Sequence, residues 1–203
     1  MKKIFAALLA VLVLAGCSGK AGTPQSTLDP NYKQTDTSLL HHAEIVVKDM
    51  GTIKVELDEG AAPETVKNFM NLAESGFYDG LTFHRAVKDF MIQGGDPSGT
   101  GTGGSEQMIK GEFAANGIEN PISHLKGTIS MARRSTNYDS ASSQFFIMVA
   151  DYTGLDGNYA AFGHVTEGQE IADQIAENAK PVDSNGLLSK PDQPVIETIR
   201  IID

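Results

Sequence analysis

The chain has 203 residues, 40% hydrophobic and 21% charged, a composition that excludes disordered, fibrous and many-spanning membrane proteins. Its 26 acidic and 16 basic residues leave a net charge of −10, which repels phosphates and argues against a nucleic-acid partner. One cysteine excludes a disulfide framework and a cysteine-rich zinc site, while 21 glycines and 8 prolines favour a turn-rich β fold over a helical bundle.

Residues 1–16 read as a signal peptide. Lys2 and Lys3 precede an unbroken apolar run, Ile4–Ala15, which is too short to span a bilayer. The run ends in Leu14-Ala15-Gly16-Cys17, which resembles the bacterial lipobox. That resemblance implies diacylglycerol on the Cys17 thiol and cleavage just before it. Stable anchoring takes more than one acyl chain. Losing Lys2 and Lys3 leaves the mature chain still more acidic, so the anchor has to be hydrophobic and not electrostatic. Residues 17–40 are then the lipidated cysteine and a flexible tether, because Ser18–Leu40 has no periodic apolar face. The expected place is outside the cytoplasm, on the outer face of the plasma membrane or on an outer membrane. In a two-membrane cell the lipobox resemblance, with Ser18 and not aspartate after the cysteine, implies sorting to the outer membrane.

Residues 41–203 read as one β-rich domain. Ile45 and Val47, then Ile53, Val55 and Leu57, alternate with polar neighbours around an Asp49-Met50-Gly51 turn. Pro63 opens a helix whose Val66, Phe69, Met70 and Ala73 share a face, and Gly76 stops it. Short strands follow over Leu81–Val87, Phe90–Gln93, Gly127–Ala132, Gln144–Val149 and Ala160–Val165. A second helix spans Gly168–Ala179, and Val195–Ile202 is a closing strand. Seven or eight short strands and two helices predict a closed antiparallel barrel, since closure removes sheet edges.

Several motifs are decoys. Gly99–Gly104 matches G-x-G-x-x-G but opens no apolar helix, so it is a glycine-rich loop. The five histidines have no tight ligand spacing, so no metal is expected. Ser140–Ser143 lacks the nucleophile-elbow pattern, and Asp96 and Asp156 suit turns. What survives is Phe83-His84-Arg85, Phe90–Asp96 and Ser143–Ile147. The short Val87–Asp89 link predicts a hairpin that sets Arg85 opposite Met91–Gln93. Period two then puts Met91 with Gln93, and Gln144 with Phe146, on shared faces. Phe83, Phe145 and Ile147 are expected in the core. One arginine, two glutamines and large apolar side chains cannot easily hydrolyse anything. They can hold an apolar ring and hydrogen-bond the peptide backbone beside it.

Taken in order, FHR, FMIQGGD, GTGTGG, SMAR, SSQFFI and LDGNYAAFG resemble the cyclophilin-type peptidyl-prolyl isomerases over about His41–Asp203. The resemblance implies a closed eight-stranded antiparallel barrel capped by two α-helices, with an outer substrate groove. It implies isomerisation of X–Pro bonds in folding secreted or envelope proteins, with no cofactor, by a monomer whose partners are proline-containing peptides. By position, Arg85 matches the catalytic arginine. Phe90, Met91, Phe146 and Leu155 match the proline pocket, and Gln93 matches the glutamine that positions the arginine and the substrate carbonyl. Gly101, Ala132, Arg133 and Gln144 match groove positions, Arg133 chiefly through its backbone. Three departures stand out: Arg133 for a usual asparagine, Tyr159 for histidine, and Gly154 for the tryptophan that donates to the inhibitor cyclosporin. A non-catalytic proline-peptide binder or holdase on the same fold is the alternative. A solute-binding lipoprotein is disfavoured by the short length and the single lobe.

Overall fold

The computed structural model describes residues 32–203. The signal peptide expected at 1–16, Cys17 and the tether up to residue 31 lie outside the described residues. Within them the chain folds into eight strands and two α-helices in the expected order. β1 (Leu40–Val47) and β2 (Gly51–Asp58) form a hairpin in which Ile45 faces Ile53 and Val47 faces Gly51. Asp49 and Gly51 take positive φ in its turn, a conformation aspartate and glycine tolerate. Ala43, Ile45, Val47, Ile53, Val55 and Leu57 point inward, as their alternation requires.

Helix α1 (Pro63–Glu74) buries Val66, Phe69 and Ala73. It has no side-chain cap of its own. Glu112, almost fully buried, instead accepts from the backbone N–H groups of Glu64 (3.0 Å) and Thr65 (2.8 Å) and from the Thr65 hydroxyl (2.7 Å). A carboxylate at a helix N-terminus satisfies orphan donors and meets the positive end of the dipole. β3 (Phe83–Val87) and β4 (Met91–Gly94) are the predicted hairpin, with Arg85 opposite Gln93. After a long irregular stretch come β5 (Thr128–Met131), β6 (Phe145–Met148) and β7 (Ala161–Glu167). α2 (Gln169–Asn178) buries Ile171, Ala172, Ile175 and Ala176, and β8 (Ile196–Ile201) completes the sheet.

The strand order is β3-β4-β6-β5-β7-β2-β1-β8, antiparallel throughout the ladders. The expected closed barrel is corrected to an open, strongly curled sheet with β3 and β8 as its edges. Their leading ends come together at a bridge between Thr82 and Val195, just before the two strands, with backbone bonds from Phe83 to Pro194, from Ile196 to Leu81 and from Gly80 to Ile196. The reason is local. Beyond Phe83 the outer edge of β3 bonds to the connection before β8: Ala86 N–H to Gly186 and Leu188 N–H to His84. Pro194 has no N–H with which to extend a ladder.

β1 also begins inside the expected tether. Leu40, His41 and His42 pair with Asp58, Leu57 and Glu56, and the Gln34 amide donates to Asp58 (3.2 Å). Polar side chains here hide a strand that is held by its backbone. Alternate faces of β4 and β6 then divide the interior from the outer surface. Ile92, Phe145 and Ile147 join the main core with Phe83, while Met91, Phe146 and Met148 form a second apolar cluster with Phe90, Leu155 and Tyr159.

Candidate active site

This second cluster is the floor of the site. Arg85, Phe90, Met91, Gln93, Ala132, Arg133, Phe146, Leu155 and Tyr159 together line one cavity of about 210 Å³. Gly101 and Gln144 line the adjoining groove, which shares Gln93, Ala132 and Arg133 with the first. All eleven expected groove residues therefore meet on one outer surface, where period two on β4 and β6 accounts for Met91, Gln93 and Phe146 and distant segments bring in the rest.

Arg85 is half-buried and held at two points. Its Nε donates to the Asn185 carbonyl (2.5 Å), and Nη1 donates to Gln93 Oε1 (3.0 Å) and lies 3.5 Å from Met91 Sδ. Its Nη2 has no hydrogen-bond partner among the described residues. Burial lowers its pKa, yet a guanidinium stays charged at physiological pH. Gln93 Nε2 donates to Gln144 Oε1 (2.8 Å), and Gln144 Nε2 donates to the carbonyls of Gly103 (2.7 Å) and Gly101 (3.2 Å). Each amide thus passes orientation to the next, from the glycine loop to the guanidinium. Asp96 shapes that loop by accepting from the N–H groups of Ser98 (2.7 Å), Thr100 (3.0 Å) and Gly101 (2.6 Å). Gly99–Gly104 is the expected irregular loop, and Asp96 has the expected turn role.

The aromatic wall is braced from behind. Phe146 stacks on the His124 ring (5.9 Å, 18°) and meets Tyr159 edge-on (5.9 Å). His124 is buried between Asp156 (2.8 Å) and Ser130 (3.0 Å). Burial works against the Asp156 charge, but hydrogen bonds from His124 and Ser123 outweigh it and hold its pKa low. Tyr159 is fixed by Arg133, whose guanidinium lies 4.6 Å from its ring centre, 4.8 Å from Tyr138 and 5.3 Å from Phe113. Arg133 Nε also donates to the Asn158 carbonyl (2.9 Å). The two departures at 133 and 159 are therefore one cation–π contact.

Sequence reasoning missed Asn185 and Tyr152, and it gave His84 of the Phe83-His84-Arg85 motif no role of its own. Asn185 supplies the carbonyl for Arg85 from 100 residues away, in a turn where Asp183 accepts from the N–H groups of Asn185 and Leu187. Tyr152, 53% exposed, packs edge-on against Phe90 (5.2 Å) and covers Gly154. His84 is fully buried beside Arg85, and neither ring nitrogen has a partner among the described residues. No spacing rule signals Asn185 or Tyr152.

The arrangement offers an apolar slot the size of a small ring, with a fixed cation on its wall. It holds no activated nucleophile and no pair of carboxylates, so it suits bond rotation and not bond cleavage.

Comparison with known proteins agrees. A family model described as cyclophilin type peptidyl-prolyl cis-trans isomerase matches residues 42–203, and one described as prokaryotic membrane lipoprotein lipid attachment site matches residues 1–18. A peptidyl-prolyl cis-trans isomerase of Helicobacter pylori is 41% identical over 74% of this chain and 91% of its own length. Peptidyl-prolyl cis-trans isomerase A of Dickeya dadantii is 38% identical over 99% and 98%. A Cryptosporidium parvum cyclophilin-type isomerase, solved in the presence of the dipeptide Ala-Pro, superposes with a TM-score of 0.68 at 31% identity, covering 80% of this chain and 99% of that one. The chain belongs to the cyclophilin-type peptidyl-prolyl cis-trans isomerases.

Proposed function

We propose that this isomerase works from a lipid anchor outside the cytoplasm, on proline-containing segments of folding secreted or envelope proteins, with Arg85 as its catalytic residue. The observation that carries the reading is the half-buried Arg85 guanidinium, held through Nε and Nη1 and bordering an apolar pocket.

Rotation about an X–Pro bond faces a barrier of about 18–20 kcal/mol, because it breaks amide resonance. As the bond twists, the prolyl nitrogen becomes pyramidal and gains a lone pair. A cation aimed there stabilises the twisted state more than either planar state, which is the condition for catalysis. Phe90, Met91, Phe146 and Leu155 hold the proline ring. Gln93 fixes the guanidinium and receives the substrate carbonyl region. Gly101, Ala132, Arg133 and Gln144 carry the flanking backbone, and Tyr159 closes the wall. Lowering the barrier by about 7 kcal/mol speeds exchange roughly 10⁵-fold. The reaction makes and breaks no covalent bond and uses no cofactor. The Ala-Pro dipeptide accompanying the Cryptosporidium relative supports an X–Pro substrate.

In this reading residues 1–16 are removed, 17–40 carry the acylated Cys17 and its tether, and 41–203 are the catalytic domain. We expect the chain to act as a monomer. The test is a proline-isomerisation assay on short peptides. Arg85→Ala is expected to lose activity about 100- to 1,000-fold, the usual cost of removing one preorganised donor, with an unchanged circular dichroism spectrum. Near wild-type turnover in that variant would remove Arg85 from the mechanism.

A further inference from the structure

Beside the proline pocket lies a larger groove of about 630 Å³. Its walls are the Gly101–Ser105 loop and the Arg133–Ser142 turn, and the only charged residues lining it are Arg133 and Arg134. A cavity lined by two arginines and no carboxylate is unexpected in a chain of net charge −10. Arg133 is committed to Tyr159, Tyr138 and the Asn158 carbonyl. Arg134 is different. Its backbone is fixed: its N–H donates to Ser140 Oγ (2.8 Å), and its carbonyl accepts from Asn137 N–H (3.2 Å) and Arg133 Nη1 (3.0 Å). Its guanidinium is exposed and makes no ion pair or hydrogen bond among the described residues. Nearby Asp139 is engaged by Gly111 N–H and the Asn116 amide, and Asp96 by its own loop.

We infer that Arg134 makes this groove, which carries the peptide beside the proline, selective for an aspartate or glutamate within two or three residues of the proline. The inference rests on the proline-pocket reading above. The two cavities share Gln93, Ala132 and Arg133, so they adjoin. An extended peptide advances about 3.3 Å per residue, so neighbouring residues of one peptide span both. The fixed backbone of Arg134 presents a fork of donors that matches a carboxylate, and the hydroxyls and glycine backbone of the walls oppose no negative charge. A lysine at the same peptide position meets a like charge.

The test uses the full chain in zwitterionic detergent. Peptides carry aspartate, asparagine or lysine in turn at each of three positions on either side of an Ala-Pro bond. At one position kcat/KM is expected to run aspartate, asparagine, lysine in falling order, with aspartate about two- to fivefold above asparagine, the range of an exposed ion pair. The ratio shrinks in high salt. Arg134→Gln brings it close to one, while Arg134→Lys keeps part of it. Turnover without sorting by charge at any position, or sorting that survives in Arg134→Gln, would overturn this inference alone. A chain that turned over none of the peptides would overturn the proline-pocket reading with it.

Discussion

At Gly154 the missing tryptophan has a structural counterpart. A Cβ placed there would stand 3.0 Å from Tyr152 Cε1, so the Tyr152 ring lies over the bare backbone while packing on Phe90. Gly154 is not among the glycines with positive φ, so its backbone accepts a side chain and the obstacle is the ring. Cyclosporin is therefore expected to inhibit the unmodified protein weakly, for want of the indole donor. Gly154→Trp alone gains little, because the indole has to displace Tyr152 from an aromatic contact worth about 0.5–1.5 kcal/mol. Tyr152→Thr combined with Gly154→Trp frees the space and is expected to tighten inhibition about 5- to 150-fold, the value of a hydrogen bond with its packing. Inhibitor titrations of isomerase activity on the three proteins decide it. Tight inhibition of the unmodified chain would show that the indole is dispensable here.

At the scale of elements, the Asp96–Gly104 loop joins the fold to the site. Burial of the Asp96 carboxyl works against its charge, but hydrogen bonds from Ser98 and from loop N–H groups outweigh this and bring its pKa down to about 2. A carboxyl whose folded pKa is depressed stabilises the protein above its unfolded value, about 3.9, and loses that contribution as pH falls toward the folded value. Stability of the wild type is thus expected to drop between about pH 4 and pH 2 in part through this group. Asp96→Asn removes that part, so its thermal midpoint is lower than the wild type's at pH 6 and converges with it near pH 2. Because the Gly101 and Gly103 carbonyls hold Gln144, and through Gln93 the Arg85 guanidinium, the same variant is also expected to lower kcat. Parallel melting curves across that pH range would refute the assignment.

For the whole molecule the question is where the tether ends. Gln34 reaches Asp58, Glu59 N–H donates to the Leu39 carbonyl, and Leu40 already pairs in the sheet. A soluble chain beginning at Tyr32 is therefore expected to melt higher than one beginning at His41, with both active, since the pocket draws on neither segment. Equal melting would show that residues 32–40 add nothing. Membrane attachment is a separate property. Cys17→Ala is expected to abolish incorporation of labelled palmitate and to release the protein from membranes or leave an uncut precursor. Labelled lipid in that variant would refute acylation at Cys17.

Sequence alone determined the properties that depend on neighbours along the chain. Period two placed Met91 with Gln93 and Gln144 with Phe146, the Val87–Asp89 link set Arg85 against Gln93, and Pro63 and Gly76 bounded a helix. These are local because side-chain direction follows backbone repeat. Tertiary structure decided what distant segments do to one another. Asn185 holds Arg85, Glu112 caps α1, Arg133 stacks on Tyr159, and the 186–188 connection takes the edge of β3 that a closed barrel would give to β8. Each such contact joins residues far apart in the chain through a carbonyl, a carboxylate or a ring that many residue types could supply. A backbone carbonyl in particular is the same at every position, so no pattern in one sequence marks which of them a folded chain brings to its arginine.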